Sequence, residues 1–261
     1  MEEHSLSQRV FAETLGTAIL VLVGPGSVVA TLVLAGDKVP AIDGSDLLGI
    51  SFAFGLVITA LVYAIGKISG CHINPAVTFA LASTKRFPWR EVPHYWAAQV
   101  VGAVLGALGI WALFTQTGID LGMGQTSFNE ATTSWGSAIF AEGIGTFMLM
   151  LAILGIVDAR SPGDFAGIVI GGVVVAIIMV LGPITAASLN PARAIGPALA
   201  ATFAGGDTHW NQIIPVYVLP GLAGAALAAF AYDFLATPRT VKQPIESAVT
   251  HPDPVEALAA K

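Results

Sequence analysis

The tripeptide Asn-Pro-Ala occurs twice, as Asn74-Pro75-Ala76 and Asn190-Pro191-Ala192, each time after a long apolar run and ahead of a stretch too short to cross a bilayer. Asn is a favoured N-cap because its side-chain oxygen accepts from a backbone N–H of the first turn. Pro suits the first helical position, where its missing N–H would have no partner. The pattern predicts two short helices, Pro75 to about Thr84 and Pro191 to about Thr202. One Asn-Pro opens many ordinary turns. Two copies at matching places predict a paired device.

The device sits in a membrane. Of 261 residues 55% are hydrophobic and 11% charged, with mean hydropathy +0.77, where a soluble domain carries about 25% charge. Spans of roughly 20 apolar residues are predicted at about 9–35, 47–66, 94–115, 136–157, 165–183 and 212–236. The net charge of −6 excludes the basic face of a nucleic-acid binder. Acids such as Asp37, Asp43, Asp46, Asp120 and Glu130 read as solvated loop charges. A single cysteine excludes an internal disulfide or a cysteine metal cage. No basic n-region precedes the first span, which is read as retained rather than cleaved. Residues 1–236 are expected to form one transmembrane domain, and 237–261 a mobile cytoplasmic tail.

Arg9, Lys67, Lys85, Arg86, Arg90, Arg160, Arg239, Lys242 and Lys261 fall on one face if both termini share it, with Lys38 opposite. The positive-inside rule then places both termini in the cytoplasm. The chain also repeats: residues 11–17 (Phe-Ala-Glu-Thr-Leu-Gly-Thr) match 140–146 (Phe-Ala-Glu-Gly-Ile-Gly-Thr) at five of seven positions. Three spans per half make the repeats, about 9–115 and 136–236, inverted, with the site expected where they meet near the midplane.

Non-helical backbone at that depth is tolerated where protein buries it or it lines a watery path. Residues 68–74 and 184–190 are such segments. Two half-helix N-termini, each worth roughly +0.5 charge, would meet there and repel cations. Asn74 and Asn190 would donate N–H bonds to a passing water and break its proton wire. Arg193 is either a solute filter or a brace pinned by backbone carbonyls. Glu13 and Glu142 either hold the re-entrant loops or form a proton relay, and His72 reads as loop packing. Cys71 either lines the inner vestibule, open to thiol reagents, or is a buried inert thiol.

Gly70-Cys71-His72-Ile73-Asn74-Pro75-Ala76-Val77, Ser188-Leu189-Asn190-Pro191-Ala192-Arg193 and the paired Ala-Glu motifs closely resemble the aquaporin (major intrinsic protein) family over about 9–236. The resemblance implies an all-α membrane protein of six spans and two re-entrant half-helices. It also implies a pore in each subunit of a homotetramer in the plasma membrane, with no cofactor and no metal. Gly102-xxx-Gly106 and Gly167-xxx-Gly171 fit close helix packing, within or between subunits. The family's narrowest ring maps onto Phe54, Ile178, Ala187 and Arg193.

Strict water channels of the family usually carry His where Ile178 stands. Glycerol channels add a second ring aromatic, an Asp after the arginine and a basic residue four further on, where this chain has Ala194 and Ala198. Tyr217 matches an aromatic of water channels, with Val216 beside it. The signature is similar to that of the archaeal aquaporins. Expected acceptors are the carbonyls of Gly70, Cys71, His72, Ile73, Ala186, Ala187, Ser188 and Leu189, and the candidate apolar wall includes Val57, Val173 and Val174. The reading is a passive water channel admitting some small neutral solutes such as glycerol. A glycerol facilitator, a proton-coupled transporter using Glu13 and Glu142, and a scaffold with a vestigial pore are the alternatives. No catalytic constellation is present in the sequence to suggest an enzyme.

Overall fold

A backbone inside a bilayer has no water to bond to, so it satisfies its polar groups within helices or a closed barrel. The computed structural model describes residues 4–39 and 41–237. Its helices are α1 (Leu6–Ala35), α2 (Gly44–Ser69), α3 (Pro75–Ser83), α4 (Val92–Asp120), α5 (Trp135–Val157), α6 (Ala166–Thr185), α7 (Pro191–Phe203), the one-turn α8 (Trp210–Gln212) and α9 (Leu219–Ala236). Six segments are long and apolar enough to cross a membrane, with Trp210–Ala236 as the sixth. They lie where the apolar runs predicted, and α3 and α7 are the two short helices. The expected tail at 237–261 lies outside the described residues, Thr237 excepted.

Two spans are less regular than their composition suggests. Thr115 (φ 51°) kinks α4. The sixth span begins with wide π-helical turns at Ile213–Val218 before α9. At the α1–α2 corner, Asp43 caps α2 and accepts from Lys38 at 2.7 Å. That bond holds the Asp43 carboxyl well below the usual carboxylate range.

The halves meet on an axis of pseudo-symmetry. Gly55 and Gly171 each lie 19 residues before their Asn. A Cβ on Gly55 would run into the Gly171 carbonyl, and one on Gly171 into the Gly55 carbonyl. Equivalent positions that touch each other lie on the two-fold, as in an isologous contact. The short helices cross over, α3 packing on α9 and α7 on α4.

Both glycine pairs act within the chain. Gly102 and Gly106 let α4 approach the Thr14 and Ala18 carbonyls of α1, and Gly167 and Gly171 let α6 approach the Thr59 and Gly55 carbonyls of α2. At one face Arg9 pairs with Glu91 and Arg86 with Asp233, while Arg160 donates to the Ala236 carbonyl. The start of α1 and the end of α9 therefore share a face, and Lys38, paired with Asp43 and Asp46, lies at the other.

Candidate functional site

The Glu of each repeat gathers the re-entrant loop of its own half. Glu13 Oε1 accepts from the Ser69 hydroxyl (2.7 Å) and the His72 N–H (2.9 Å), and its Oε2 from the Ile73 N–H (2.6 Å) and Gln99 Nε2 (2.8 Å). Glu142 Oε1 accepts from the Thr185 hydroxyl (2.7 Å) and the Ser188 N–H (2.8 Å), and its Oε2 from the Leu189 N–H (2.8 Å). The Cys71 and Ala187 N–H groups bond to Ser69 Oγ and Thr185 Oγ1. Tyr95 and Tyr217 hydroxyls donate to the Ser69 and Thr185 carbonyls. One turn after each Glu, Gly16 and Gly145 leave room for the Ile73 and Leu189 side chains.

Peptide N–H and C=O groups point in opposite directions across a trans bond. With the N–H groups of residues 71–73 turned to Glu13 and Ser69, the carbonyls of Gly70, Cys71 and His72 face the other way. Ala186, Ala187 and Ser188 do the same relative to Glu142 and Thr185. Left-handed backbone at Cys71 (φ 50°), Ile73 (φ 42°), Ala187 (φ 42°) and Leu189 (φ 56°) makes the turn. Each costs roughly 1–2 kcal/mol in an L-residue, and the buried carboxylates offset that cost.

The two Asn residues cap and cross-brace at once. Asn74 Oδ1 accepts from the Ala76 N–H at 2.9 Å, and its Nδ2 donates to the Leu189 carbonyl at 2.8 Å. Asn190 Oδ1 accepts from the Ala192 and Arg193 N–H groups, and its Nδ2 donates to the Ile73 carbonyl at 2.8 Å. The Asn-Pro-Ala pattern predicts both amides turned into the path. Here one N–H of each ties the loops together, and since a carboxamide carries two, one remains. The Ile73 and Leu189 carbonyls are correspondingly engaged.

A cavity of about 510 Å³ runs from Lys67 and Asp164 past Asn74 and Asn190 to Phe54, Ile178, Ala187 and Arg193. Gly70, Cys71, His72, Ile73, Ser188 and Leu189 line it too. Ala186 is exposed and does not line it, and of the wall valines only Val174 does. Val57 instead packs in the core cluster, with Val173 against it.

Cys71 is buried on the cavity wall. His72 packs its ring on Phe87 (4.9 Å) and Tyr95 (5.1 Å) and bonds to Thr78 through Nδ1, so it is a loop-packing residue.

Among the described residues Arg193 is the largest fully buried side chain. Its Nη1 donates to the Gly124 carbonyl at 2.9 Å, its Cζ lies 5.4 Å from the Phe54 ring centroid, and its buried Nε has no partner among the described residues. Gly24 makes room for that ring, because a Cβ there would overlap it. Brace and lining residue coincide in one side chain. Gly24, Gly124, Gln99, Ser69 and Thr185 were not singled out from sequence. Ser69 and Thr185 carried a usable signal, each five residues before its Asn.

Residues 1–232 match the family described as major intrinsic protein. The chain belongs to the major intrinsic protein family. This family member is 45% identical over 247 residues to aquaporin AqpM of Methanothermobacter marburgensis, covering 88% of this chain and 98% of that one. It is 45% identical over 243 residues to a probable aquaporin AqpM of Archaeoglobus fulgidus, covering 89% and 98%. Among solved structures, the aquaglyceroporin of Plasmodium falciparum superposes with a TM-score of 0.76 at 28% identity, covering 90% of this chain and 98% of that one. As a major intrinsic protein, the chain is a multi-pass membrane protein and a passive channel for water and small solutes, not an enzyme. A proton-coupled transporter finds no support. The carboxylates it would use are engaged by loop N–H and side-chain donors.

Proposed function

We propose that this channel prefers water, and that solutes are sorted at two places: the Asn74–Asn190 pair and the ring of Phe54, Ile178, Ala187 and Arg193. Arg193 carries the reading. It is a buried guanidinium held on Gly124 and set over Phe54 at one end of the cavity. A guanidinium beside an apolar wall selects small hydrogen-bonding solutes by diameter and donor placement. Its charge and two helix N-termini repel protons and cations. The remaining N–H of each Asn donates to a passing water and turns that water's hydrogens outward.

A glycerol facilitator is the second reading. Ile178 favours it, because an apolar side chain there makes the ring less hydrophilic. Ala194 and Ala198 weigh against it, since both are buried under Phe128. The pore domain is assigned to 1–236 and the assembly to a homotetramer, in the plasma membrane with both termini cytoplasmic. The cation-rich face formed by Arg9, Arg86 and Arg160 supports that orientation.

Stopped-flow light scattering of proteoliposomes under sucrose and then glycerol gradients tests the choice. Fast water flux with an activation energy near that of free diffusion and slow glycerol entry are expected. Arg193→Val should raise glycerol entry, and Ile178→His should lower it. Glycerol as fast as water in the unmodified protein would refute the water preference.

A further inference from the structure

The loop from Leu121 to Ser134 reaches over Arg193 with only a single helical turn, Gly122–Gly124, of its own. Its other buried backbone groups need partners from elsewhere. Gln212, buried in α8, supplies two. Its Oε1 accepts from the Phe128 N–H at 3.0 Å and its Nε2 donates to the Phe128 carbonyl at 3.1 Å. One carboxamide thus pairs with both polar groups of one backbone residue, as a neighbouring strand would. Nε2 also lies 3.4 Å from Glu130 Oε1, and Glu130 Oε2 accepts from the Trp135 indole N–H at 3.2 Å. The Phe128 ring meets Trp135 edge-on at 5.2 Å and packs with Ala194 and Ala198 of α7, the helix that carries Arg193.

Four residues before Phe128 stands Gly124, the carbonyl partner of Arg193. Gly124 is seated on α1, where a Cβ would collide with the Pro25 carbonyl, and its φ of +68° suits glycine. The loop is therefore held at Gly124 by α1 and at Phe128 by Gln212. Neither Gln212, Phe128 nor Glu130 lines the cavity.

We infer that Gln212 is a positioning residue for solute selection: by clamping Phe128 it keeps the Gly124 carbonyl where Arg193 binds it, and so fixes the guanidinium at the ring. Without the carboxamide, a buried N–H and C=O lose their partners, and shifting the loop costs less than leaving them unpaired. The guanidinium then loses its anchor and the ring admits larger solutes. This rests on Arg193 being the selective group, as proposed above.

The test measures water and glycerol permeability in the same proteoliposomes for the unmodified protein, Gln212→Leu, Gln212→Glu and Arg193→Val. With the empty-liposome rates subtracted, the glycerol-to-water ratio does not depend on how much protein folds, so a merely structural lesion leaves it unmoved. Gln212→Leu is expected to raise the ratio roughly three- to tenfold, the scale of losing one or two neutral hydrogen bonds. Gln212→Glu keeps the acceptor and loses both donations, so it should move the ratio the same way; it decides the matter if the leucine variant fails to insert. An unchanged ratio in the inserted Gln212 variants, with a raised ratio in Arg193→Val, overturns the clamp and leaves the ring intact as an idea. An unchanged ratio in Arg193→Val overturns the ring and the clamp together.

Discussion

At the scale of single residues, the two buried carboxylates are alike in role and unequal in load. Among the described residues Glu13 takes two donors on each oxygen, whereas Glu142 takes two on Oε1 and only the Leu189 N–H on Oε2. A Gln in either place must turn its NH₂ toward donors. Glu142→Gln can direct it at the Leu189 N–H alone, whereas Glu13→Gln meets one backbone N–H in either orientation and must also turn the Ser69 hydroxyl or the Gln99 amide. At about 1–3 kcal/mol per displaced buried donor, both variants should unfold earlier on heating in detergent, and Glu13→Gln earlier still. Equal midpoints, or the reverse order, would contradict the load difference. The roles of both acids were legible in the repeat itself, because an acid recurring inside two apolar spans needs a local partner. Gln99 was not, because its counterpart four residues after Tyr217 is Gly221, so no repeat pointed to it.

At the scale of elements, the α2–α6 contact holds the halves together, and neighbouring glycines on α6 make it testable. A Cβ on Gly171 would strike the Gly55 carbonyl and the Thr59 hydroxyl, while one on Gly172 meets nothing within 4 Å. Gly171→Ala should destabilise by about 1–3 kcal/mol through overpacking. Gly172→Ala should stabilise by about 0.5–1 kcal/mol, the helix-interior gain over glycine. Opposite shifts of the thermal midpoint from adjacent residues are the expected result, and shifts of the same sign would count against the contact. The spans and half-helices were readable from apolar length and from Asn-Pro, since both are decided locally. The Thr115 kink, the wide turns at Ile213–Val218 and the seat of the Leu121–Ser134 loop were not. The loop is fixed by Gln212 and Pro25, 84 and 99 residues from Phe128 and Gly124, and no local pattern encodes such a pairing.

At the scale of the whole molecule, charge decides which way the channel faces. Arg9, Arg86 and Arg160 are tied to Glu91, Asp233 and Asp158, and with Lys85 and Arg90 they crowd the face that holds the start of α1 and the end of α9. The opposite face has Lys38 among the described residues, neutralised by Asp43 and Asp46. Short loops rich in Lys and Arg stay on the cytoplasmic side during insertion, where anionic lipid adds about 1 kcal/mol per cation. The single cysteine, Cys71, is buried, so an introduced thiol can be read against a quiet background. His4→Cys and Asp37→Cys place exposed thiols on the two faces. In intact cells a membrane-impermeant maleimide should label Asp37→Cys and leave His4→Cys untouched until the membrane is permeabilised. Labelling of His4→Cys from outside would reverse the orientation. Arg193, whose ring lies toward the Lys38 face, would then stand at the inner mouth, and a solute entering from the medium would meet the Asn pair first.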